Sequence, residues 1–284
     1  MFPLLLSAIR VFHMSAAVLP RAPRDPHGIP LTIQYKIAAT RSEREAAFRL
    51  VHSSYLRAGL SHANPYGMRV TPYHLLDSTD VLLACYQGET ILTMTLVGDG
   101  RLGLPMESIY REELAARRAL DRALAEVSCL ADRRLSLREF CPVFIGLSQL
   151  CAQYARHQGY DDLVIAVHPK HARFYRRLFG FESLGPLRTY PTVRNRPAVA
   201  LYLDLVALRE RHPQAYQTLF GVRVPVAAMI PQPMPPEERE YFGAMIDPNF
   251  HAVPLGPDEE AALVANAVFG QETILPDGAM EVWA

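Results

Sequence analysis

The stretch "HPKHARFYRRLFGF", residues 168–181, follows directly on "DLVIAV", residues 162–167. The hexapeptide is apolar on both faces, as expected of a strand inside a sheet that is covered on both sides. The chain then passes without a linker into a helix. That helix opens on His168-Pro169, carries Phe174-Tyr175 among Arg173, Arg176 and Arg177, and ends at Gly180-Phe181. Pro suits the first turn of a helix, and Gly suits a left-handed C-terminal residue. The pair is therefore strand then helix, with a sharp return into the next strand.

Upstream, "LREFCPVFIGLSQLCAQYARHQGY" repeats Phe140, Val143, Phe144, Leu147, Leu150, Cys151 and Tyr154 at three- and four-residue steps, which predicts a helix with one apolar face. Gly159 closes it. "ALAEVSCLADRR" reads as a central strand with Glu126 in its middle, and "GLPMESIYREELAARRALDR" as a polar helical insertion. "DVLLACYQGETILTMTLVGD" reads as two strands joined by a tight turn at Gln87-Gly88-Glu89. "LTIQYKIAA" (31–39) is a first strand. The helix after it takes Ser42 as N-cap, with Glu45 completing a capping box. "NPYGMRVTPYH" is a loop. Downstream, "FESLG" and "AVALYLDL" are two last strands, separated by a loop "PLRTYPTVRNRP". This element order predicts an α/β protein, a mixed sheet with helices on its faces.

Strand, "HPKHARFYRRLFGF", strand resembles the last third of the GNAT acyltransferase fold. The segment "GDGRLGLPMESIYREELAARRALDRALAEVSCLA" resembles the middle of the long-chain N-acyl amino acid synthases, GNAT-like enzymes related to acyl-homoserine lactone synthases. The resemblance covers residues 31–205. It implies that the fourth and fifth strands splay apart and that a thioester donor threads between them, with His168-Pro169 ending the strand where the gap is widest. It implies an N-acyltransferase that moves a fatty acyl chain from acyl carrier protein to the amine of an amino acid or similar small amine. The alternatives are a GNAT-fold acyltransferase that uses acyl-coenzyme A or makes a homoserine lactone, and a non-catalytic module that binds acyl groups or carrier protein.

Several residues can carry the chemistry. A carboxylate midway along a central strand must be paired, protonated or facing a cleft. Glu126 is the candidate base that takes the proton of the ammonium nucleophile; the alternative is a structural ion pair with Arg49. Ser128, two residues on, either hydrogen-bonds the substrates or satisfies neighbouring backbone. The lactone synthases have an Arg three residues after the Glu. Cys129 stands at that place here, which argues against a pocket for S-adenosylmethionine. Tyr175 is the candidate acid for the leaving thiolate, although it lies five residues before Gly180 where GNAT enzymes usually show four. Arg49 and His168 are candidate substrate-binding residues, and the loop 62–74 could close over the acceptor.

Coenzyme A–dependent relatives follow this strand with a glycine-rich loop for the pyrophosphate. "LADRRLSLREF" (130–140) contains no glycine. Arg133, Arg134 and Arg138 instead suit acidic acyl carrier protein through electrostatic steering, so they are the candidate donor-binding residues. No cofactor is expected beyond the phosphopantetheine thioester, which is a co-substrate.

The whole chain agrees with this. It has 284 residues, half of them hydrophobic, and balances 29 basic against 29 acidic residues. A nucleic-acid binder would show a basic bias. Cys85, Cys129, Cys141 and Cys151 form no CxxC pair, so no metal site is expected, and a cytoplasmic setting fits. Residues 1–30 read as a leader and linker. Their apolar part is too interrupted to span a membrane, and admits either an upstream start ahead of Met14 or peripheral membrane contact. Residues 206–284 read as a helical extension, through "LRERHPQAYQTLFG", "PPEEREYFGAMI" and "GPDEEAALVANAVFG".

Overall fold

The computed structural model describes residues 32–100 and 102–246. The expectations placed on 1–30, and on the last amphipathic run at 256–270, lie outside the described residues. Seven strands form one sheet: β1 (Ile33–Ile37), β2 (Thr79–Tyr86), β3 (Glu89–Gly98), β4 (Leu124–Asp132), β5 (Asp162–Val167), β6 (Glu182–Tyr190) and β7 (Arg196–Asp204). Their order is β1-β2-β3-β4-β5-β7-β6. Every pairing is antiparallel except that of β4 with β5. The helices are α1 (Arg41–Ala58), α2 (Glu107–Arg118), α3 (Leu137–His157), α4 (Pro169–Phe179), α5 (Leu208–Arg211), α6 (Pro213–Phe220) and α7 (Pro236–Gly243).

The strand residues alternate between two cores. Leu82, Ala84, Leu92, Leu163, Ile165 and Leu201 pack with the apolar stripe of α3 and with α4 and α6. On the other face, Val81 and Leu83 meet Phe48 of α1 and Phe242 of α7, and Val97, Leu124 and Val164 meet Tyr110 and Leu114 of α2.

The parallel pair positions the site. Its register holds for three residues only: Leu124 with Asp162, Ala125 with Leu163, and Glu126 with Val164. Beyond that point the two strands part. Asp162, wholly buried, is clamped by Arg117 at 2.5 Å and Arg122 at 2.8 Å, and Arg122 also reaches Asp204 at 2.5 Å. A buried carboxylate is tolerable only with such partners, so one end of the strand pair is fixed while the other opens. β4 adds a bulge on the open side. Thr95 of β3 lies opposite Ser128 while Thr93 lies opposite Ala131, and Cys129 takes φ 52°. An extra residue of this kind bends its strand and re-aims side chains.

Two local expectations are corrected. Thr40, not Ser42, caps α1, and Glu43 completes the box. Both S/T-x-x-E registers exist in the sequence. Glu43 decides between them, because its carboxylate also accepts from the Ala39 and Thr40 amides and pairs with Lys36 at 2.6 Å. The "PLRTYPTVRNRP" segment is mostly strand. β6 runs on to Tyr190 and β7 starts at Arg196, with Arg194 and Asn195 turning the chain at positive φ. Pro186 is tolerated because β6 is an edge strand with register shifts on either side of Gly185.

Gly180 shows why the opening stretch ends as it does. Its φ is 77°, and a Cβ there would lie 2.8 Å from the His212 ring. The left-handed conformation alone costs about 1–2 kcal/mol for a residue with a side chain. Gly180→Ala is therefore expected to lose at least that much stability in urea unfolding. An unchanged midpoint would mean the turn is not constrained.

Candidate active site

Where β4 and β5 part, a cavity of about 460 Å³ passes through the sheet. That is within the range of small-ligand sites. Val127 to Leu130 form one side and Ile165 to Val167 the other. On the α1 side the walls are Tyr55, Arg69, Thr71, Pro105 and Tyr190; on the α3 side they are Phe144, Ser148, Cys151, Tyr175 and Phe179. Because the opening pierces the sheet, five successive residues of β4 touch it. Strand alternation therefore does not sort those that face the site from those that do not.

Glu126 sits at the vertex, 2% exposed. Its carboxylate accepts the Met106 amide at 2.8 Å. Burial raises its pKa to about 8, the nearby Glu107 adds to the rise, and the Met106 amide opposes it. The Gly103-Leu104-Pro105-Met106 turn that supplies this amide is held from several sides. Tyr190 donates its hydroxyl to the Pro105 carbonyl at 2.9 Å, and the Tyr73 hydroxyl lies 3.3 Å from the Leu102 and Leu104 carbonyls. Glu107 is fully buried and paired with Arg118 at 2.8 Å, and Arg118 also holds Asp99 at 2.6 Å. The polar insertion between β3 and β4 thus fixes the hydrogen bond to the strand carboxylate.

Arg49 is not a partner of Glu126. It is exposed, donates to the Tyr66 carbonyl at 2.9 Å, and lines a separate groove with Lys36, Arg57, Arg133 and Arg134. The helical register of α1 turns it away from the cavity. Of the Arg and Lys residues that line the cavity, Arg69, Lys170 and Arg196, the buried one is Arg69, 3% exposed. It donates to the Thr192 carbonyl at 3.1 Å and lies 5.2 Å from the centre of the Tyr55 ring. Sequence reasoning passed over it because it sits in what reads as a loop. The one available signal was a lone Arg in an otherwise apolar and turn-forming stretch.

Ser128 lines the cavity beside Glu126. Tyr175 lines it too, its ring edge-on to Phe144 and Phe181 at 6.2 and 5.8 Å. Burial raises the Tyr175 phenol above its ordinary value, so it keeps its proton. His168 lines the cavity as the N-cap of α4, its Nδ1 accepting the Lys170 amide at 3.3 Å. Burial, Lys170 and Arg196 all lower its pKa, which favours a neutral ring. Arg133 and Arg134, between β4 and α3, and Arg138, in the first turn of α3, are exposed and lie outside the cavity lining. Arg133 is paired with Glu89. Among the described residues no group of three His, Cys, Asp or Glu is placed to hold a metal, and no helix is long and apolar enough to cross a membrane.

Comparison with known proteins gives a consistent picture. The N-acyl amino acid synthase FeeM family matches residues 46–204. The structure of FeeM, an N-acyl amino acid synthase from uncultured soil microbes, superposes with a TM-score of 0.57 at 32% identity, covering 65% of this chain and 97% of that one. The acyl-homoserine lactone synthase LasI superposes with a TM-score of 0.51 at 17% identity, covering 69% and 98%, and shares the fold. Among curated proteins, no sequence matches.

The buried carboxyl makes stability depend on pH. Between the ordinary glutamate range and about 8, Glu126 holds a proton in the folded state and has lost it in the unfolded state. Its contribution is therefore lost as pH rises through about 8. Gln keeps the acceptor for Met106 without titrating. Glu126→Gln should gain in thermal midpoint relative to wild type as pH rises from about 5 to 8. A constant difference across that window would show that Glu126 is already ionised in the folded protein.

Proposed function

Because the chain belongs to the FeeM family of N-acyl amino acid synthases and is an N-acyltransferase, we propose that it transfers a fatty acyl chain from acyl carrier protein to the amine of an amino acid. One observation carries this reading: a single cavity joins a polar end with a carboxyl and a buried guanidinium to an apolar end beneath α3. Alkyl chain, thioester and amino acid fit it in that order.

In this reading Arg69 receives the acceptor carboxylate, a charge-assisted contact made stronger by burial. Glu126, in the ionised form it reaches as pH approaches about 8, takes a proton from the ammonium group, directly or through one water. A group whose pKa lies near the working pH suits that step. The freed amine attacks the thioester carbonyl in the strand gap, where Ser128 donates to the carbonyl oxygen. The carbon–sulfur bond breaks, Tyr175 passes its proton to the departing thiolate, and the second proton of the attacking nitrogen returns to the Tyr175 oxygen, so that the proton held by Glu126 is the one released to solvent. Amide and free thiol leave, with no acyl-enzyme formed. His168 caps α4 at the mouth of the gap and shapes the donor's path. No cofactor takes part beyond the phosphopantetheine thioester.

Carrier protein is preferred over coenzyme A for two reasons. The 130–140 segment offers no glycine-rich cradle for a pyrophosphate. Arg133, Arg134 and Arg138 present exposed positive charge near the end of β4 instead, and an acidic partner is steered by such charge.

Purified protein offered a pool of amino acids should use carrier-protein thioesters over coenzyme A thioesters. Replacing Arg133, Arg134 and Arg138 together by Glu should raise the KM for the carrier-protein donor, and added salt should act on wild type in the same direction. Glu126→Gln should lower kcat by about 10²- to 10⁴-fold. Equal use of both donors, unaffected by the triple change, would refute the carrier-protein assignment. A folded Gln variant with full turnover would remove the base.

A further inference from the structure

The apolar end of the cavity has a definite length. Its wall on α3 runs from Phe144 through Ser148 to Cys151 and Ala152. Eight residues of helix rise about 12 Å. At the far end the lining passes to Leu163 of β5 and Leu203 of β7. These two are paired with each other, and Leu163 is also paired with Ala125, on the closed side of the strand vertex. The sheet offers no exit there. Phe179 and Phe181 also line the cavity, as does Leu219 of α6, which is 1% exposed. This helix packs on both α3 and α4. It also lies beyond 46–204, the part of the chain that matches the family.

The position of Leu219 is fixed by two glutamines of α3, the same helix that lines the cavity. The last carbonyls of a helix have no partner within it. Gln149 donates to the Thr218 carbonyl at 2.8 Å. Gln153 donates to the Leu219 and Val222 carbonyls, both at 2.8 Å, and its own carbonyl accepts the Val224 amide at 2.9 Å. The backbone of Leu219 and of the residue before it is thus tied to the cavity wall. The side chain has its rotamers as the freedom left to it.

We propose that Leu219, held in place by Gln149 and Gln153, is the stop that sets the longest acyl chain this enzyme accepts. The C-terminal segment thereby acts as a specificity element added to the acyltransferase sheet. This rests on the cavity holding the acyl chain, as in the function proposed above. Shortening Leu219 deepens the cavity and enlarging it shortens the cavity. Freeing the glutamine latch lets α6 shift, and the chain-length preference then broadens.

Binding separates the stop from catalysis. The full chain and its variants are titrated calorimetrically with a graded series of saturated fatty acids, octanoate to stearate. Leu219→Met, which keeps the volume, should retain the wild-type optimum. Leu219→Ala should move the optimum to longer chains, with each newly accommodated methylene tightening binding about fourfold. Leu219→Phe should move it to shorter chains, and Gln153→Leu should flatten the profile. A cooperative thermal transition is checked for each, so that loss of folding in one variant leaves the others to decide. If the folded Ala and Phe variants keep the wild-type optimum, the stop is overturned while the acylation reading stands. If wild type shows a chain-length optimum that moves as expected but acylates no amino acid, the stop is supported and the acylation reading fails.

Discussion

The structure depends on the point where parallel pairing between β4 and β5 ends. Pairing holds through Glu126 and Val164 and then stops. Parallel strands are normally held along their length and covered on both faces. Here the closed end is clamped by Arg117 and Arg122 on a wholly buried Asp162, which leaves the other end free to diverge. Divergence leaves backbone groups of both strands facing a gap rather than each other. A ligand that lies in the gap, with polar atoms at the level of the strands, would satisfy groups that the sheet has left open. The cavity, the bulge at Cys129 and the abrupt turn into α4 at His168 all follow from that parting.

Glu126 shows what the vertex demands. A carboxyl with this burial would ordinarily be an error in a strand. The chain gives it one backbone donor, Met106, and surrounds that donor with a network of Tyr73, Tyr190, Glu107, Arg118 and Asp99. One hydrogen bond is not enough to hold the group ionised against its burial, and its pKa stays raised. Groups poised in this way are over-represented at catalytic sites, because a base must be able both to take and to release a proton near neutrality. The insertion between β3 and β4 is therefore part of the site rather than decoration on the sheet.

Much of this was legible in the sequence, for identifiable reasons. "DLVIAV" followed by His-Pro, and the seven-position stripe of α3, are strong periodic signals, and both elements form where expected. Glu126 was legible because a charge inside an apolar strand has few explanations. Arg69 was not, since its burial comes from tertiary contacts that no local pattern records. No local pattern fixes whether the long side chains of Arg49 and Glu126 meet, and the helical register of α1 carries Arg49 to a separate groove. The cap of α1 was ambiguous because two S/T-x-x-E registers overlap, and Lys36 on the preceding strand, seven residues before Glu43, helped settle it. The position of Leu219 was invisible for the same kind of reason: it depends on glutamines more than sixty residues away.

The central claim is that the acyl thioester lies in the gap between β4 and β5. A crystal structure of the protein with a stable acyl-phosphopantetheine analogue tests it most directly. The account predicts the analogue's carbonyl between Ser128 and the β5 backbone, its alkyl chain along Phe144, Ser148 and Ala152, and its end against Leu219. An analogue bound instead in the surface groove of Lys36, Arg49 and Arg133, with the gap between the strands left free of it, would contradict the account.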